Sequence, residues 1–376
     1  MVIKRTAQKK GSVLKRYVEI EDWLSTGSTT LDLSVSCFKT PFGGIPTKRI
    51  VEFSGGGASG KTYICGELCG DALRRGYDVV VDDIERRWDL PRLKTFDFAA
   101  DHKSFKYLTP ASSHMEGCFG TMFKVMDKVP KGGKLLYVVD PLAALYSEVE
   151  LTKSDKMGQA RTKALHKNLR HLKDRVASAD RTIVVVFSNQ LIDAIGVTFG
   201  DSKVTPGGNA MVHWPTVRIR FEVPSRITKK IKFRGKELTK TLGLRLRSTV
   251  RKNSEDDAFR NAEFTVLYGY GIDDVRDNVL WLRNYTKELD CDKKFLDKKK
   301  KKDDDKEGEE NKATQWYQFQ AAEAKPIYGL DRFVEFIEKE DLEATLAGVV
   351  ANCYKEWHTP AERKPKWRRV GIGDVK

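Results

Sequence analysis

A glycine-rich segment directly after a short apolar run constrains this chain more than any other feature. It reads G-x-x-x-x-G-K-T and follows residues 49–53, which have the composition of a buried strand. Glycines let successive backbone N–H groups turn toward one anion, and a following helix adds its N-terminus. The pattern predicts strand, phosphate-binding turn and helix, in that order; the alternative is a plain glycine-rich turn. The segment consists of Gly55, Gly56, Gly57, Ala58, Ser59, Gly60, Lys61 and Thr62.

A second motif complements this P-loop. The apolar run 135–139 ends in Asp140, the Walker B form, in which a strand-end carboxylate accepts hydrogen bonds from waters on Mg²⁺. Within the P-loop, Lys61 is expected to reach the β- and γ-phosphates and Thr62 to hold Mg²⁺ through its hydroxyl. The two motifs therefore predict a bound nucleotide and Mg²⁺.

Strand-sized apolar runs alternate with helical patterns through the first half of the chain. Such alternation predicts an α/β fold, with a mostly parallel twisted sheet, flanking helices and right-handed crossovers. The ligand of such a sheet binds at the carboxyl edge of its strands. The predicted strands are 49–53, 79–81, 135–140 and 182–187, and the predicted helices are 61–75, 115–129 and 159–176, with a further helical stretch at 90–96.

Charge and composition indicate a partner class and a compartment. The 376 residues carry a formal net charge of +15, which predicts attraction to a polyanion, nucleic acid before anionic membrane. A generally solubilising surface is the alternative. The six cysteines show no paired C-x-x-C spacing, and the longest apolar runs are far short of a membrane span. These features predict a cytoplasmic protein without a signal peptide or membrane partner.

The second half contains a long glycine-bearing segment, 191–209, and then two runs that alternate as antiparallel strands do, 218–223 and 242–250. A loop as long as the first is usually functional or disordered. The densest basic region surrounds the two strands and predicts a surface that tracks phosphates, with a solvated face as the alternative. Its basic residues are Arg226, Lys229, Lys230, Lys232, Arg234, Lys236, Lys240, Arg245, Arg247, Arg251 and Lys252, opposed only by Glu237.

Three regions are predicted along the chain. Residues 1–24 form a basic N-terminal segment, 25–275 form the nucleotide-binding core, and 276–376 form a small, mostly helical C-terminal domain. The last region contains a low-complexity insert at about 291–312, whose lysine and acidic runs cannot bury a core and therefore predict disorder. Residues 315–319 and two amphipathic stretches, 330–340 and 342–356, account for its folded part. A basic tail, 363–369, carries Trp367, which could stack on a base.

Ordered motifs between residues 24 and 272 resemble the RecA family of DNA strand-exchange recombinases, and the overall make-up is similar to the phage branch typified by UvsX. The blocks that carry this resemblance keep their order and spacing, which makes it specific. They are Leu24-Ser25-Thr26-Gly27-Ser28, Gly44-Ile45-Pro46, the P-loop, Asp83-Ile84-Glu85 with Asp89, Val138-Val139-Asp140, Lys156-Met157-Gly158, Asn189-Gln190, residues 195–200, Gly207-Gly208-Asn209-Ala210, and Ala262-Glu263-Phe264 with Tyr268-Gly269.

The resemblance implies roles for individual residues. Glu85 matches the glutamate that activates the attacking water, with Asp83 as the rival base, and Gln190 matches the glutamine that senses the γ-phosphate. Asp89 and Tyr268 match positions around the adenine. Two DNA-binding loops are implied at 148–158 and 191–208. The DNA contacts implied for these two loops, for the helix at 159–176 and for the residue after the second loop are Met157, Gly158, Arg161, Arg170, Ile195, Gly196, Gly207, Gly208 and Asn209. Of these, Met157 and Ile195 would wedge between bases.

The chain also departs from the bacterial pattern of the family. Bacterial members place two lysines against the γ-phosphate of the neighbouring subunit, whereas here only Lys252 matches and Ser254 takes the second position. The P-loop has Gly56-Gly57-Ala58-Ser59 in place of Pro-Glu-Ser-Ser. Basic residues of the second loop are replaced by Ile192 and Ala194, so phosphate contact is expected to shift to Lys203 or to the helix bearing Arg161 and Arg170.

The resemblance implies an ATP-dependent recombinase that forms helical filaments on single-stranded DNA and exchanges strands with homologous double-stranded DNA, with DNA-stimulated ATP hydrolysis. Candidate further partners are a single-strand-binding protein and a loader. The alternatives are a ring-forming replicative helicase or loader ATPase with the same nucleotide core, and a DNA-coating protein with vestigial ATPase. The intact Lys61, Thr62, Glu85 and Asp140 argue against the coating protein.

Overall fold

The protein is represented by a computed structural model that describes residues 19–148, 157–193, 203–233, 236–285, 315–316, 327–328 and 330–359. Residues 1–18 of the N-terminal segment predicted at 1–24, the insert at 291–312 and the tail at 363–369 lie outside these ranges. The described chain divides into two compact units, with the division after Asp277. Across the described ranges, no helix is both long enough and apolar enough to span a bilayer.

The described strands range in length from two residues to the eighteen of β11. In chain order they are β1 (Trp23–Leu24), β2 (Ile45–Pro46), β3 (Ile50–Gly55), β4 (Asp78–Asp83), β5 (Phe105–Tyr107), β6 (Lys134–Asp140), β7 (Thr182–Gln190), β8 (Ile192–Asp193), β9 (Lys203–Val204), β10 (Val217–Phe233), β11 (Lys236–Asn253), β12 (Asn261–Leu267), β13 (Gly271–Ile272), β14 (Gln315–Trp316) and β15 (Ile327–Tyr328).

The helices of the same ranges mostly follow strands of the first unit. They are α1 (Thr29–Ser36), α2 (Lys61–Arg74), α3 (Met115–Lys128), α4 (Met157–Val176), α5 (Asn209–His213), α6 (Asp274–Tyr285), α7 (Leu330–Lys339) and α8 (Glu343–His358). Two 3₁₀ turns, Leu90–Phe96 and Leu142–Ala144, complete them.

One large sheet organises the first unit. Its described strands follow the order β13-β12-β11-β10-β3-β7-β6-β4-β5, parallel from β10 to β5 and antiparallel from β10 to β13. The central parallel strands β3, β4, β6 and β7 are buried on both faces, as their largely apolar sequences require. This arrangement confirms the predicted α/β fold with a mostly parallel sheet and flanking helices.

Two apolar cores cover the two faces of the sheet. One includes Ile64 and Leu68 of α2 against Phe53 and Phe221. The other includes Phe119 and Leu169, from α3 and α4, against the opposite face. Because both faces are covered, the strands are held in register and the loops at their carboxyl ends have a rigid base.

Several segments differ from the sequence-based expectation. The helix predicted from residue 159 begins at Met157, within the stretch predicted as a loop. The segment 191–209 contains a short antiparallel pair, β8 with β9, and the start of α5. The hairpin strands predicted at 218–223 and 242–250 extend to Phe233 and begin at Lys236, because cross-strand pairing continues past the sheet.

The second unit has its own small apolar core. The sequence patterns at 330–340 and 342–356 correspond to α7 and α8, which bury Phe333, Ile337, Leu346 and Val350. Trp281 stacks on Tyr354, with ring centroids 5.6 Å apart. The stretch 315–319 was predicted with the helical part of this region, but its described residues form the strand β14, which pairs antiparallel with β15. Pairing between the two strands satisfies backbone N–H and C=O groups that a helix would otherwise satisfy.

Candidate functional site

The carboxyl ends of four parallel strands meet at one edge of the sheet. In the register of the sheet, Gly55 of β3 lies beside Gln190 of β7, and Asp83 of β4 lies beside Asp140 of β6. The P-loop, the Walker B carboxylate and the predicted sensor glutamine are therefore neighbours. Parallel α/β sheets bind their ligands at this edge.

The P-loop has the backbone shape that its glycines predict. Gly60, with φ of +85°, is the residue before α2, and Ala58 also has a positive φ, of +56°. A methyl group at Gly56 or Gly57 would meet no atom within 4 Å, so the cradle in front of the loop is open. A helix N-terminus behind an open loop is a preformed anion site.

Lys61 lies inside the loop. Its Nζ donates to the carbonyl oxygens of Gly55 (3.0 Å) and Gly56 (2.7 Å) and to the Ser59 hydroxyl (3.3 Å). Burial lowers the pKa of this ammonium, while the carboxylate of Asp140 acts in the opposite direction. The lysine is thus held at the loop by acceptors that an anionic ligand can replace.

Thr62 and Asp140 supply the oxygen ligands that Mg²⁺ prefers. The Thr62 hydroxyl donates to Asp140 Oδ2 over 2.7 Å, which brings the two predicted metal-binding groups into direct contact. Hydroxyl, carboxylate and water oxygens are the usual surroundings of Mg²⁺ beside a phosphate. The donor set therefore fits a magnesium–nucleotide complex.

A cavity of about 850 Å³ opens in front of these groups. Its wall includes the P-loop from Gly57 onward, together with Asp89, Gln190 and Tyr268, so the structure brings the residues predicted around the phosphates and around the adenine to one cavity. Tyr268 is 59% exposed at the rim, where a flat ring can cover a ligand.

Glu85 lies on the same wall, two residues past the end of β4. Gln190 Nε2 donates to Glu85 Oε1 over 3.0 Å, and Arg87 Nε lies 3.1 Å from Glu85 Oε2. The predicted base and the predicted sensor are therefore directly connected. Gln190 also immediately precedes the segment 191–208, predicted as the second DNA-binding loop.

Asp83, the rival base, is held in a different way. Its Oδ2 accepts from the Trp88 backbone N–H and from the Tyr107 hydroxyl, each over 2.8 Å, and its side chain is almost fully buried. These contacts close the turn after β4. The geometry favours Glu85 over Asp83 as the group that can reach a water molecule.

A buried polar network lies behind the P-loop. Glu52 accepts from Arg218 Nε (2.5 Å) and from Asn189 Nδ2 (2.9 Å). Asn189 Nδ2 also lies 3.3 Å from the carbonyl oxygen of Pro206, and Arg218 reaches the Thr205 hydroxyl over 3.1 Å. The end of β7, beside the P-loop, is thereby connected to the end of the 191–208 segment.

The predicted DNA contacts cluster around α4. Gly207 and Gly208 have positive φ, lead into Asn209 at the start of α5, and pack on Leu165 and Thr162 of α4. This places the turn that ends the second predicted loop against the helix that follows the first.

The remaining predicted DNA contacts lie in different settings. Arg170 is exposed on α4, whereas the Arg161 guanidinium donates to the carbonyl oxygens of Leu142 and Ala143 over 3.3 and 2.9 Å. Met157 and Gly158 lie in the first turn of the same helix. Ile195 and Gly196 lie outside the described residues, so their roles stay predictions.

Lys252, the predicted trans-acting residue, lies on β11. Its Nζ donates to the carbonyl oxygens of Val212 (3.0 Å) and His213 (2.6 Å), and burial lowers the pKa of this ammonium. Within one chain it therefore holds the end of α5, and its role toward a neighbouring subunit stays a prediction.

Sequence reasoning missed one residue at the centre of this site. Trp88 lines the cavity, and its indole N–H donates to Asp140 Oδ2 over 2.9 Å. The signal that could have found it was a tryptophan in the polar stretch that carries Glu85, five residues after the strand-end Asp83.

Fold and site together define a P-loop nucleotide-binding protein of the α/β class. A family model for the RecA N-terminal domain matches residues 3–273. Protein RecA of Rickettsia massiliae (strain Mtu5) is 30% identical over 271 residues, covering 70% of this chain and 72% of that protein. Protein RecA of Clostridium novyi (strain NT) is 29% identical over 268 residues, covering 70% of each. The chain belongs to the RecA family of recombination proteins. The similarity to the phage branch stays a prediction.

Proposed function

We propose that this protein is an ATP- and Mg²⁺-dependent recombinase, which assembles on single-stranded DNA as a helical filament and pairs it with a homologous duplex. The observation that carries the proposal is the hydrogen bond between Gln190 and Glu85 at the head of the 191–208 segment. It connects the residue that would activate water to the segment that would hold DNA. RecA-family membership supports the recombination chemistry.

The chain's own groups have distinct roles toward the nucleotide. Lys61 and the P-loop N–H groups would bind the phosphates, and Thr62 and Asp140 would hold Mg²⁺. When bound, Mg²⁺–ATP supplies the phosphoanhydride that is cleaved. Asp89 and Tyr268 would hold the base at the cavity rim.

Glu85 would orient the attacking water and accept its proton, a role that suits a carboxylate beside the phosphates. Gln190 would exchange its bond to Glu85 for one to the γ-phosphate. Because Gln190 immediately precedes the second loop, that exchange would reorganise the loop and alter the grip on DNA, an order–disorder switch of the kind that γ-phosphates control. Hydrolysis would reverse the change and promote release.

Two surfaces of the first unit would contact DNA. The first comprises Gly207, Gly208 and Asn209 with Arg170 of α4, joined by Met157, Gly158, Arg161, Ile195 and Gly196 from the sequence-based assignment. The second is the basic arm, defined as residues 226–233 and 236–242 of the β10–β11 hairpin, where six exposed Lys and Arg side chains face one carboxylate, Glu237. Lys229 and Lys240 lie directly opposite each other, a like-charge pair that a polyanion would relieve.

Self-association would complete the site. We infer that Lys252 leaves the Val212 and His213 carbonyls when a neighbouring subunit presents its γ-phosphate. A single-strand-binding protein and a loader are the further partners that the proposal includes.

The P-loop lysine tests the proposal. Lys61→Ala is expected to abolish ATP-dependent binding to single-stranded DNA and filaments in electron micrographs, because the loop loses its cation. Lys106→Ala, at an exposed lysine of the edge strand β5, is the matched control and should behave as wild type. Normal nucleotide-stabilised filaments from Lys61→Ala would overturn the proposal, and closed rings from the wild type would favour the helicase alternative.

A further inference from the structure

The turn between Asp83 and Trp88 is fastened to Asp140 at two points. The backbone N–H of Ile84 donates to the Asp140 carbonyl oxygen over 2.9 Å, and the Trp88 indole N–H donates to Asp140 Oδ2 over 2.9 Å. Glu85 lies between these two points in the chain. Its position relative to the metal-binding carboxylate is thus set by one backbone contact and one side-chain contact.

Trp88 is a buried residue that the surrounding structure holds in place. The side chain is 8% exposed, and its own backbone N–H is held by the buried carboxylate of Asp83, which Tyr107 also contacts. Arg86, at the middle of the turn, has a φ of +55°. A strained turn of this kind keeps its shape only when its surroundings fix both ends.

The bond to Asp140 leaves room for a metal. An ionised carboxylate accepts at about four lone-pair positions over its two oxygens. In this structure Oδ2 accepts from both Trp88 and Thr62. Oδ1 therefore stays available to a metal-bound water while the indole holds the other oxygen, and outer contacts of this type orient metal ligands and tune metal affinity.

We propose that Trp88 is a positioning residue, which orients the Asp140 carboxylate toward Mg²⁺ and transmits that orientation to the turn bearing Glu85. The proposal rests on the proposed function insofar as a magnesium–nucleotide complex binds here. Trp88 itself does not touch the reacting atoms. Its contribution is to keep two carboxylates, one for the metal and one for water, in a fixed relation.

The test is the Mg²⁺ dependence of nucleotide binding in Trp88→Phe, which keeps a large apolar ring and removes the N–H. Binding of ADP is measured by titration calorimetry over a series of Mg²⁺ concentrations and in EDTA. We expect the Mg²⁺ concentration that gives half of the maximal increase in ADP affinity to rise about tenfold, the lower end of the effect of such outer contacts on metal affinity. The ADP affinity measured in EDTA should stay unchanged. Trp214→Phe is the matched control, since it also removes an indole hydrogen bond, here to His166 over 2.9 Å, and should leave the Mg²⁺ dependence unchanged.

Steady-state kinetics give an independent readout. At saturating Mg²⁺ we expect Trp88→Phe to lower kcat with little change in KM. The substitution would displace the turn that bears Glu85, and Glu85 acts in hydrolysis rather than in nucleotide binding. Trp88→His, which retains a ring N–H, is the rescue variant, and Trp88→Leu, which also lacks the N–H, replaces Trp88→Phe if that variant does not fold. The Mg²⁺ dependence of Trp88→His should stay within about threefold of wild type, well short of the tenfold rise expected for Trp88→Phe.

Each outcome decides a different point. Wild-type Mg²⁺ dependence in a folded Trp88→Phe, or equal effects in Trp88→Phe and Trp88→His, would overturn the role of the indole N–H. A wild-type protein that binds no ADP with or without Mg²⁺ would instead overturn the proposed function itself.

Discussion

Glu85 and Asp83 follow the same strand, yet their neighbours give them different chemistry. Asp83 accepts two hydrogen bonds from within the turn and from Tyr107, and it is almost completely buried. Both carboxylates line the cavity, but the Glu85 side chain is 24% exposed and accepts a hydrogen bond from Gln190. The sequence pattern puts both carboxylates at one strand end, whereas only the structure separates a structural carboxylate from one that can meet a water molecule.

This difference predicts opposite results for two matched substitutions. Glu85→Gln should lower kcat for ATP hydrolysis by about 100-fold or more, the usual range for a lost general base, with ATP affinity intact. Asp83→Asn should lower thermal stability, since the carboxylate oxygens of Asp83 hold the turn. The two variants are compared in a DNA-stimulated turnover assay and by thermal unfolding. Normal hydrolysis by Glu85→Gln would transfer the role of base to Asp83.

Among single residues, the backbone shape of the P-loop could be predicted from the sequence, whereas the contact of Trp88 with Asp140 could not. A fixed spacing of glycines, lysine and threonine encodes a backbone shape that is local in the chain. The bond from Trp88 to Asp140 joins residues 52 positions apart and depends on which strands are neighbours. Sequence patterns predict local geometry well, and contacts across strands only after the topology is known.

At the scale of elements, the β10–β11 hairpin extends furthest beyond its predicted bounds. The β10–β11 hairpin continues well past the sheet, because β3 pairs only with residues up to Phe221 of β10, and β12 begins to pair at Gly243 of β11. Beyond these residues, within the described part of the chain, the two strands pair with each other. Part of the predicted basic region is also already paired, since Arg245 and Arg247 contact Glu263 over 3.2 and 2.6 Å.

The basic arm therefore makes a prediction at the scale of the element. Replacing Lys229, Lys230 and Lys232 together by alanine should weaken binding to double-stranded DNA, because exposed lysines would contact phosphates. The slope of log affinity against log salt should become shallower by about 0.9 for each phosphate that the variant no longer neutralises. Fluorescence anisotropy over a salt series measures both quantities.

The matched control removes three exposed lysines elsewhere on the first unit, namely Lys103, Lys106 and Lys128. It changes the net charge equally and should leave the salt slope near that of wild type. ADP binding should be unaffected in both triple variants. Equal slopes for the arm variant and the control would show that net charge alone, and not the arm, attracts DNA.

At the scale of the whole molecule, two buried carboxyl groups predict how stability depends on pH. Burial raises the pKa of Asp32 to about 7 and that of Asp277 to about 7, although both accept hydrogen bonds from nearby serine or threonine groups. An unfolded aspartate has a pKa of about 3.9. The folded state therefore binds protons more strongly, and this stabilisation, complete below pH of about 4, is lost as pH rises through about 7.

Urea unfolding between about pH 5 and pH 7.5, the window set by these two pKa values, checks the sign. The free energy of unfolding should fall over this window, and Asp277→Asn should remove part of the fall because its side chain does not titrate. Comparing the pH slopes of the free energy of unfolding of the wild type and of Asp277→Asn cancels the contribution of the titratable groups that both proteins share. Parallel slopes would contradict the raised pKa of Asp277.

The whole-molecule fold was predictable where the sequence alternates strands and helices, from β3 to β7, apart from the three-residue edge strand β5, which was not predicted, and less so afterwards. Parallel strands buried on both faces leave continuous apolar runs, and the crossovers between them have a fixed hand. The short pairs β8–β9 and β14–β15 leave no such pattern, because two extended residues have no periodicity to read. The start of α4 at Met157 was missed for the related reason that its first turn has no apolar periodicity.

The central claim is that nucleotide binding at this edge of the sheet drives homologous pairing. A joint-molecule assay with circular single-stranded DNA, homologous linear duplex, Mg²⁺ and ATP measures it directly. The wild type should convert the duplex into joint molecules that need both ATP and homology, and Lys61→Ala should form none. Joint molecules that form equally well without ATP, or with a heterologous duplex, would contradict the claim.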